Sequence, residues 1–145
     1  MSLHIRSAGP DDCAGLHRLI AAHAAFEGGE ATITGDALGI VLRASDIRLI
    51  IATDQDVLVG YAALTLDFSL WRARHWAHLD CLFVHEEHRG RSIGRQLLAA
   101  AKSVAQALEA DSMEWQTPLW NEAAILFYAA QNAQGSAKMR FFTAL

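Results

Sequence analysis

At 145 residues, with 52% apolar and 19% charged side chains, the chain fits one globular domain spanning 1–145 and excludes intrinsic disorder. A formal net charge of −4 supplies no general attraction for nucleic acid or an anionic membrane, and no apolar run approaches the roughly 20 residues that a membrane helix needs. The opening "MSLHIRSAGPDD" lacks the pattern of a secretory signal, so a cytoplasmic protein is expected, with Cys13 and Cys81 as free thiols.

In chain order, "LHIRS" alternates apolar and polar residues and predicts a short strand, and Pro10, Asp11 and Asp12 supply a helix start before Leu16, Leu19 and Ile20. "FEGGEATITGD" reads as a glycine-broken loop, and Ala37, Leu38, Ile40, Val41 and Leu42 predict a short second helix. "RLIIAT", the turn "DQD" and "VLVGYAALTL" predict a hairpin, after which "DFSLWRAR" reads as a loop. "HWAHLDCLFV" predicts a strand central in a sheet. From Ser92 the apolar positions Ile93, Leu97, Leu98, Ala101, Val104, Ala105 and Leu108 keep helical spacing for about four turns. "SMEWQT" predicts a strand, "NEAAILFYAA" a helix capped by Asn121, and "AKMRFFTAL" a final strand, giving the order β α α β β β α β α β.

The junction "HRGRSIGRQLL", residues 88–98, carries the densest chemistry. A helix N-terminus has unpaired N–H groups and partial positive charge, so a glycine-bearing loop before it makes an anion site, and Arg89, Arg91 and Arg95 add charge. A solvated, basic helix start explains the loop alone equally well.

Two further segments shift that balance. "CLFVHEEHRGRSIGRQLL" resembles the acetyl-coenzyme A signature of the GNAT superfamily of N-acetyltransferases, a loop of pattern Arg/Gln-x-x-Gly-x-Gly/Ala between strand and helix. Arg89 fills its first position and Gly94 its last, while Ser92 stands where the pattern has glycine. "PLWNEAAILFY" resembles the "WNxxAxxFY" segment of the diamine (spermidine/spermine) and thialysine acetyltransferase branch, and "LVGYAALTLDFSLW" resembles that branch's upstream strand and tryptophan-bearing loop. The resemblance implies an α/β (α+β) fold, a mixed, mostly antiparallel sheet flanked by helices, with acetyl-CoA as co-substrate. It implies a cleft where the strand ending at Val84 and "SMEWQT" splay apart, the pantetheine arm lying along Leu82, Phe83 and Val84. It also implies pyrophosphate on the N–H groups of Gly90, Arg91, Ser92, Ile93, Gly94 and Arg95, and a second cofactor-contacting segment at Asn121, Glu122, Ala123 and Ala124. A homodimer is a further possibility that the resemblance raises.

Acetyl transfer to an amine needs a neutral amine, a positioned thioester and a proton for the departing thiolate. Tyr128 matches the family tyrosine that supplies this proton, a task a phenol suits because it is ordinarily protonated at neutral pH. Asp80 stands as base or substrate anchor, against the alternative of a buried structural carboxylate. Simple alternation puts Trp76, His78, Asp80, Leu82 and Val84 on one strand face and Ala77, Leu79, Cys81 and Phe83 on the other. Cys81 replaces an acid of the related branch, which weakens the grip on a polyamine; Glu27, Glu30 and Asp67 lie in loops able to line an acceptor pocket.

Cys81 reads better as a small buried hydrophobe than as a nucleophile, and "HWAH" and "HEEH" lack metal-site spacing, so no metal is expected. Trp71, Trp76, Trp115 and Trp120 have no basic, aromatic-interleaved stripe around them and read as core or pocket packing. The reading is an acetyl-CoA-dependent N-acetyltransferase acting on a small-molecule primary amine by direct ternary transfer. Its rivals are a protein or peptide N-acetyltransferase and a non-catalytic CoA-binding module.

Overall fold

The computed structural model describes residues 2–145, which form two compact units, one ending at Trp115 and the other running from Gln116 to Leu145. In the first unit β1 (Leu3–Ser7), α1 (Cys13–Phe26), α2 (Gly35–Val41), β2 (Ile47–Asp54), β3 (Val57–Ser69), β4 (Arg74–Val84), α3 (Ile93–Ala107) and β5 (Met113–Glu114) follow in that order. The strands lie β1-β2-β3-β4-β5, antiparallel except where β5 runs parallel to β4, so the sheet is mixed and mostly antiparallel as expected.

Local chemistry explains the joints. The Arg6 guanidinium donates to both carboxylate oxygens of Asp12, at 2.8 and 2.9 Å, and the Gly9 N–H donates to the same carboxylate at 2.7 Å. These bonds tie β1 to the start of α1 and hold the Asp12 carboxyl below its ordinary range, with the Arg6 hydrogen bond as the largest cause. Between β2 and β3, Asp54 pairs with Val57 and the two turn residues Gln55 (φ 50°) and Asp56 (φ 65°) are both left-handed. That is the geometry of a tight hairpin turn whose hand matches the twist of the strands.

Helices cover both sheet faces. On one, Leu16 and Leu19 of α1 and Leu38 of α2 meet Ile51, Tyr61 and Phe83. On the other, α3 buries Ile93, Leu97, Leu98, Ala101 and Ala105, five of the seven positions its spacing predicts. Gly60 of β3 has a packing reason: a Cβ there would stand 2.9 Å from the Phe83 carbonyl oxygen and 3.0 Å from Leu97 Cδ1.

Four expectations are corrected. β3 continues through Asp67, Phe68 and Ser69, so the connection to β4 is only residues 70–73 and not all of "DFSLWRAR". In place of a full "SMEWQT" strand, only Met113 and Glu114 pair. No strand forms in "AKMRFFTAL": a strand needs a hydrogen-bonded partner, and residues 137–145 pair with none among the described residues. Trp71, in the β3–β4 turn, is 99% exposed and Trp120 58%, so neither packs as core.

The second unit carries α4 (Glu122–Ala130), capped as predicted: the Asn121 side-chain oxygen accepts the Ala124 N–H at 3.2 Å. Among the described residues no helix is long and apolar enough to cross a membrane.

Candidate functional site

The site is built around the second half of β4. Ala63 pairs with Cys81 and Leu64 with Leu79, so Asp80 is an extra residue on β4, a bulge that opposes no partner on β3. The bulge overturns the predicted alternation. Ala77 and Leu79 lie opposite Leu66 and Leu64, whereas Cys81 and Phe83 lie opposite Ala63 and Tyr61 and join the α1 layer. Asp80 is exposed, which removes the reading of a buried structural carboxylate, and its Oδ2 accepts from the Cys81 thiol at 3.6 Å.

β5 pairs with β4 only at Ala77 and His78, so among the described residues no strand lies against Asp80 to Val84 on the β5 side. Leu82, Phe83 and Val84, the residues expected to line a pantetheine arm, lie along this open edge. The Val84 carbonyl is already engaged, accepting from Arg89 Nε at 2.9 Å.

Beneath the bulge lies a polar cluster. His23 of α1 stacks on Phe83 with ring centroids 4.9 Å apart and planes at 17°. Its Nδ1 stands 2.6 Å from the Tyr61 hydroxyl and its Nε2 2.9 Å from Glu27 Oε2. A carboxylate only accepts, so the neutral ring donates from Nε2 to Glu27 and receives the Tyr61 O–H at Nδ1. Burial lowers the His23 pKa, outweighing the opposing pull of Glu27 and Asp80. Burial, with Asp80 second, pushes the Cys81 thiol up to about 11, which keeps it protonated and a poor nucleophile. Tyr61, held chiefly by burial, is pushed up as well. The Arg89 guanidinium lies 4.7 Å over the Phe26 ring and 5.5 Å over that of Phe83.

The loop after β4 presents the candidate anion cradle. Gly90 (φ 74°) has nothing within 4 Å of where a Cβ would stand, leaving its backbone open. Ser92 holds φ 61°, a left-handed value rare for a side-chain-bearing residue, and its hydroxyl makes no cap hydrogen bond. Ile93, Gly94 and Arg95 open α3, where first-turn N–H groups have no partner inside the helix. Arg95 is exposed, while Arg91 is drawn aside: its guanidinium donates to Asp54 at 2.7 Å and contacts His88 Nδ1 at 3.0 Å. Open backbone and a helix terminus fit a pyrophosphate.

In the second unit, Asn121 and Ala124 are joined by the cap, Glu122 and Ala123 are exposed in the first turn of α4, and Tyr128 is half-buried with its ring 5.3 Å from that of Phe127. The residues that sequence reasoning passed over are His23, Tyr61 and Phe26. A histidine and a glutamate four apart at a helix end, His23 and Glu27, are the signal that points to them. Among the described residues no three His, Cys, Asp or Glu side chains stand together in a way that could hold a metal ion.

Comparison with known proteins gives one family: residues 17–132 match the acetyltransferase (GNAT) family. Thialysine N-epsilon-acetyltransferase of Bos taurus is 29% identical over 77 residues, a match that spans 53% of this chain and 45% of that protein. An aminoglycoside acetyltransferase from an uncultured soil metagenomic sample, solved with trehalose, superposes with a TM-score of 0.84 at 18% identity over 99% of this chain and 97% of that one. The ribosomal-protein-alanine N-acetyltransferase of Brucella melitensis biovar Abortus 2308 does so at 0.77 and 17% identity, over 99% and 100%. At these identities the structural likeness speaks for the fold.

Proposed function

The chain belongs to the acetyltransferase (GNAT) family, and we propose that residues 1–145 act as one catalytic domain moving the acetyl group of acetyl-CoA to a primary amine of a small molecule. The observation that carries this reading is the join of β4 to α3, where an unpaired strand edge runs into a loop of left-handed backbone and a helix N-terminus. The edge suits an extended pantetheine arm and the loop suits its pyrophosphate.

The acceptor nitrogen, as free amine, attacks the thioester carbonyl; the carbon–sulfur bond breaks and coenzyme A leaves as thiol. Asp80, exposed at the bulge, takes the amine's proton or holds its ammonium form. Tyr128 gives the thiolate its proton. A small amine is favoured over a peptide because Asp80 stands next to a compact polar cluster of His23, Glu27, Tyr61 and Cys81.

Release of coenzyme A across polyamines, lysine analogues, aminoglycosides, amino acids and peptides tests this. Turnover with one or more small amines is expected. Turnover with peptides alone would transfer the reading to protein acetylation, and acetyl-CoA binding without turnover on any amine would make the chain a CoA-binding module.

A further inference from the structure

Cys81 stands where the related branch carries a second acid beside Asp80, so β4 alone offers the acceptor one negative charge. The structure brings another from a different element. Glu27, at the end of α1, is held through His23 Nε2 at 2.9 Å, and the opposite ring nitrogen takes the Tyr61 hydroxyl at 2.6 Å. Cys81 sits beside Tyr61 on the neighbouring strand, and its thiol donates to Asp80 Oδ2 at 3.6 Å. Two hydrogen-bonded runs thus come together here, Glu27–His23–Tyr61 from α1 and β3 and Cys81–Asp80 at the bulge of β4.

Charge accounting gives the arrangement a purpose. Glu27 and Asp80 both act electrostatically on His23, on Tyr61 and on Cys81, so the two carboxylates surround one small region. The Arg89 guanidinium, stacked over Phe26 and Phe83, is the cation facing them, and with His23 neutral one negative charge is left over. Both His23 ring nitrogens are engaged and its face is stacked on an aromatic ring. His23 is oriented in all three directions.

We propose that His23 is a positioning residue for the acceptor, fixing the Glu27 carboxylate beside Asp80 so that the acceptor's positive charge is received by α1 as well as by β4. The inference rests on the acetyl-transfer reading above, with the amine received at Asp80. It makes α1 the element that restores the acid lost at Cys81, and it assigns the acceptor a cationic group within reach of both carboxylates.

Steady-state kinetics of His23→Phe, His23→Gln, Glu27→Gln and the His23→Phe/Glu27→Gln double variant, with the best amine of the panel, tests it. His23→Phe should raise the acceptor KM about tenfold or more and leave the acetyl-CoA KM within about twofold. Glu27→Gln should do the same, and the double variant should lose no more than the worse single. His23→Gln, whose amide can still donate to Glu27, should recover much of the affinity. An unchanged acceptor KM in His23→Phe, or equal rises in both KM values together with a lowered melting temperature, would overturn the inference while leaving acetyl transfer intact. Absence of turnover by the wild-type protein with every amine would overturn the underlying reading and this inference with it.

Discussion

Ser92 shows how a single residue departs from a pattern without breaking it. The loop needs left-handed backbone at this point, and Ser92 adopts φ 61° although it carries a side chain. The left-handed strain costs about 1–2 kcal/mol, while glycine would add roughly 0.5–1 kcal/mol of unfolded-state entropy. Ser92→Gly should therefore stabilise the fold by no more than about 1.5 kcal/mol in thermal unfolding. Acetyl-CoA affinity should stay within about tenfold, or about 1.4 kcal/mol, since the hydroxyl caps nothing. A larger loss of affinity in a titration would make the hydroxyl a phosphate ligand.

His23 carries a pH signature at the same scale. Its pKa is lowered from the ordinary 6.5 mainly by burial, against Glu27 and Asp80, with Arg89 assisting; Tyr61 and Cys81 are the other titratable groups facing it. The unfolded chain binds that proton more readily, so the stability contributed by the neutral ring is complete above about pH 6.5. It is lost as pH falls through the lowered folded value. Unfolding in denaturant between pH 7 and pH 5 should show this decline, and His23→Gln should flatten it. Asp80 adds a kinetic counterpart: as base, Asp80→Asn loses most turnover at low pH, where the amine most needs deprotonation, whereas an even loss at all pH values marks an anchor.

Among the elements, the β2–β3 hairpin and the β4 bulge were legible to different degrees. Apolar alternation on either side of "DQD" announced the hairpin, but the left-handed Gln55 and Asp56 are not the residues such a turn prefers. Gln55→Asn with Asp56→Gly should raise the melting temperature by about 3 °C, following about 1 kcal/mol of relieved backbone strain. Gly60→Ala should act in the other direction. The carbonyl of Phe83 cannot yield easily to a Cβ at 2.9 Å, and a loss of about 1–3 kcal/mol is expected in the same assay. The bulge was invisible in sequence because alternation carries no mark of an extra residue: Asp80 occupies one more position on β4 than β3 can pair. For the same reason the faces of Cys81 and Phe83 were assigned wrongly. The polar cluster stayed hidden because its partners lie far apart in the chain, with His23 on α1 and Tyr61 on β3.

For the molecule as a whole, the segments that recur at fixed spacing were readable: the strand, loop and helix from Cys81 to Leu98 and the Asn121-capped helix bearing Tyr128. What depends on a partner edge was not readable, as the unformed strand in "AKMRFFTAL" shows. The central claim is direct transfer, in which acetyl-CoA and amine are bound together and no acetylated protein side chain intervenes. The high pKa of Cys81, about 11, agrees with the absence of a thiolate to carry the acetyl group. Initial rates of coenzyme A release, measured with both acetyl-CoA and the best amine varied, test the claim most directly. Intersecting double-reciprocal lines and no release without amine are predicted; parallel lines, or release independent of the amine, would contradict it.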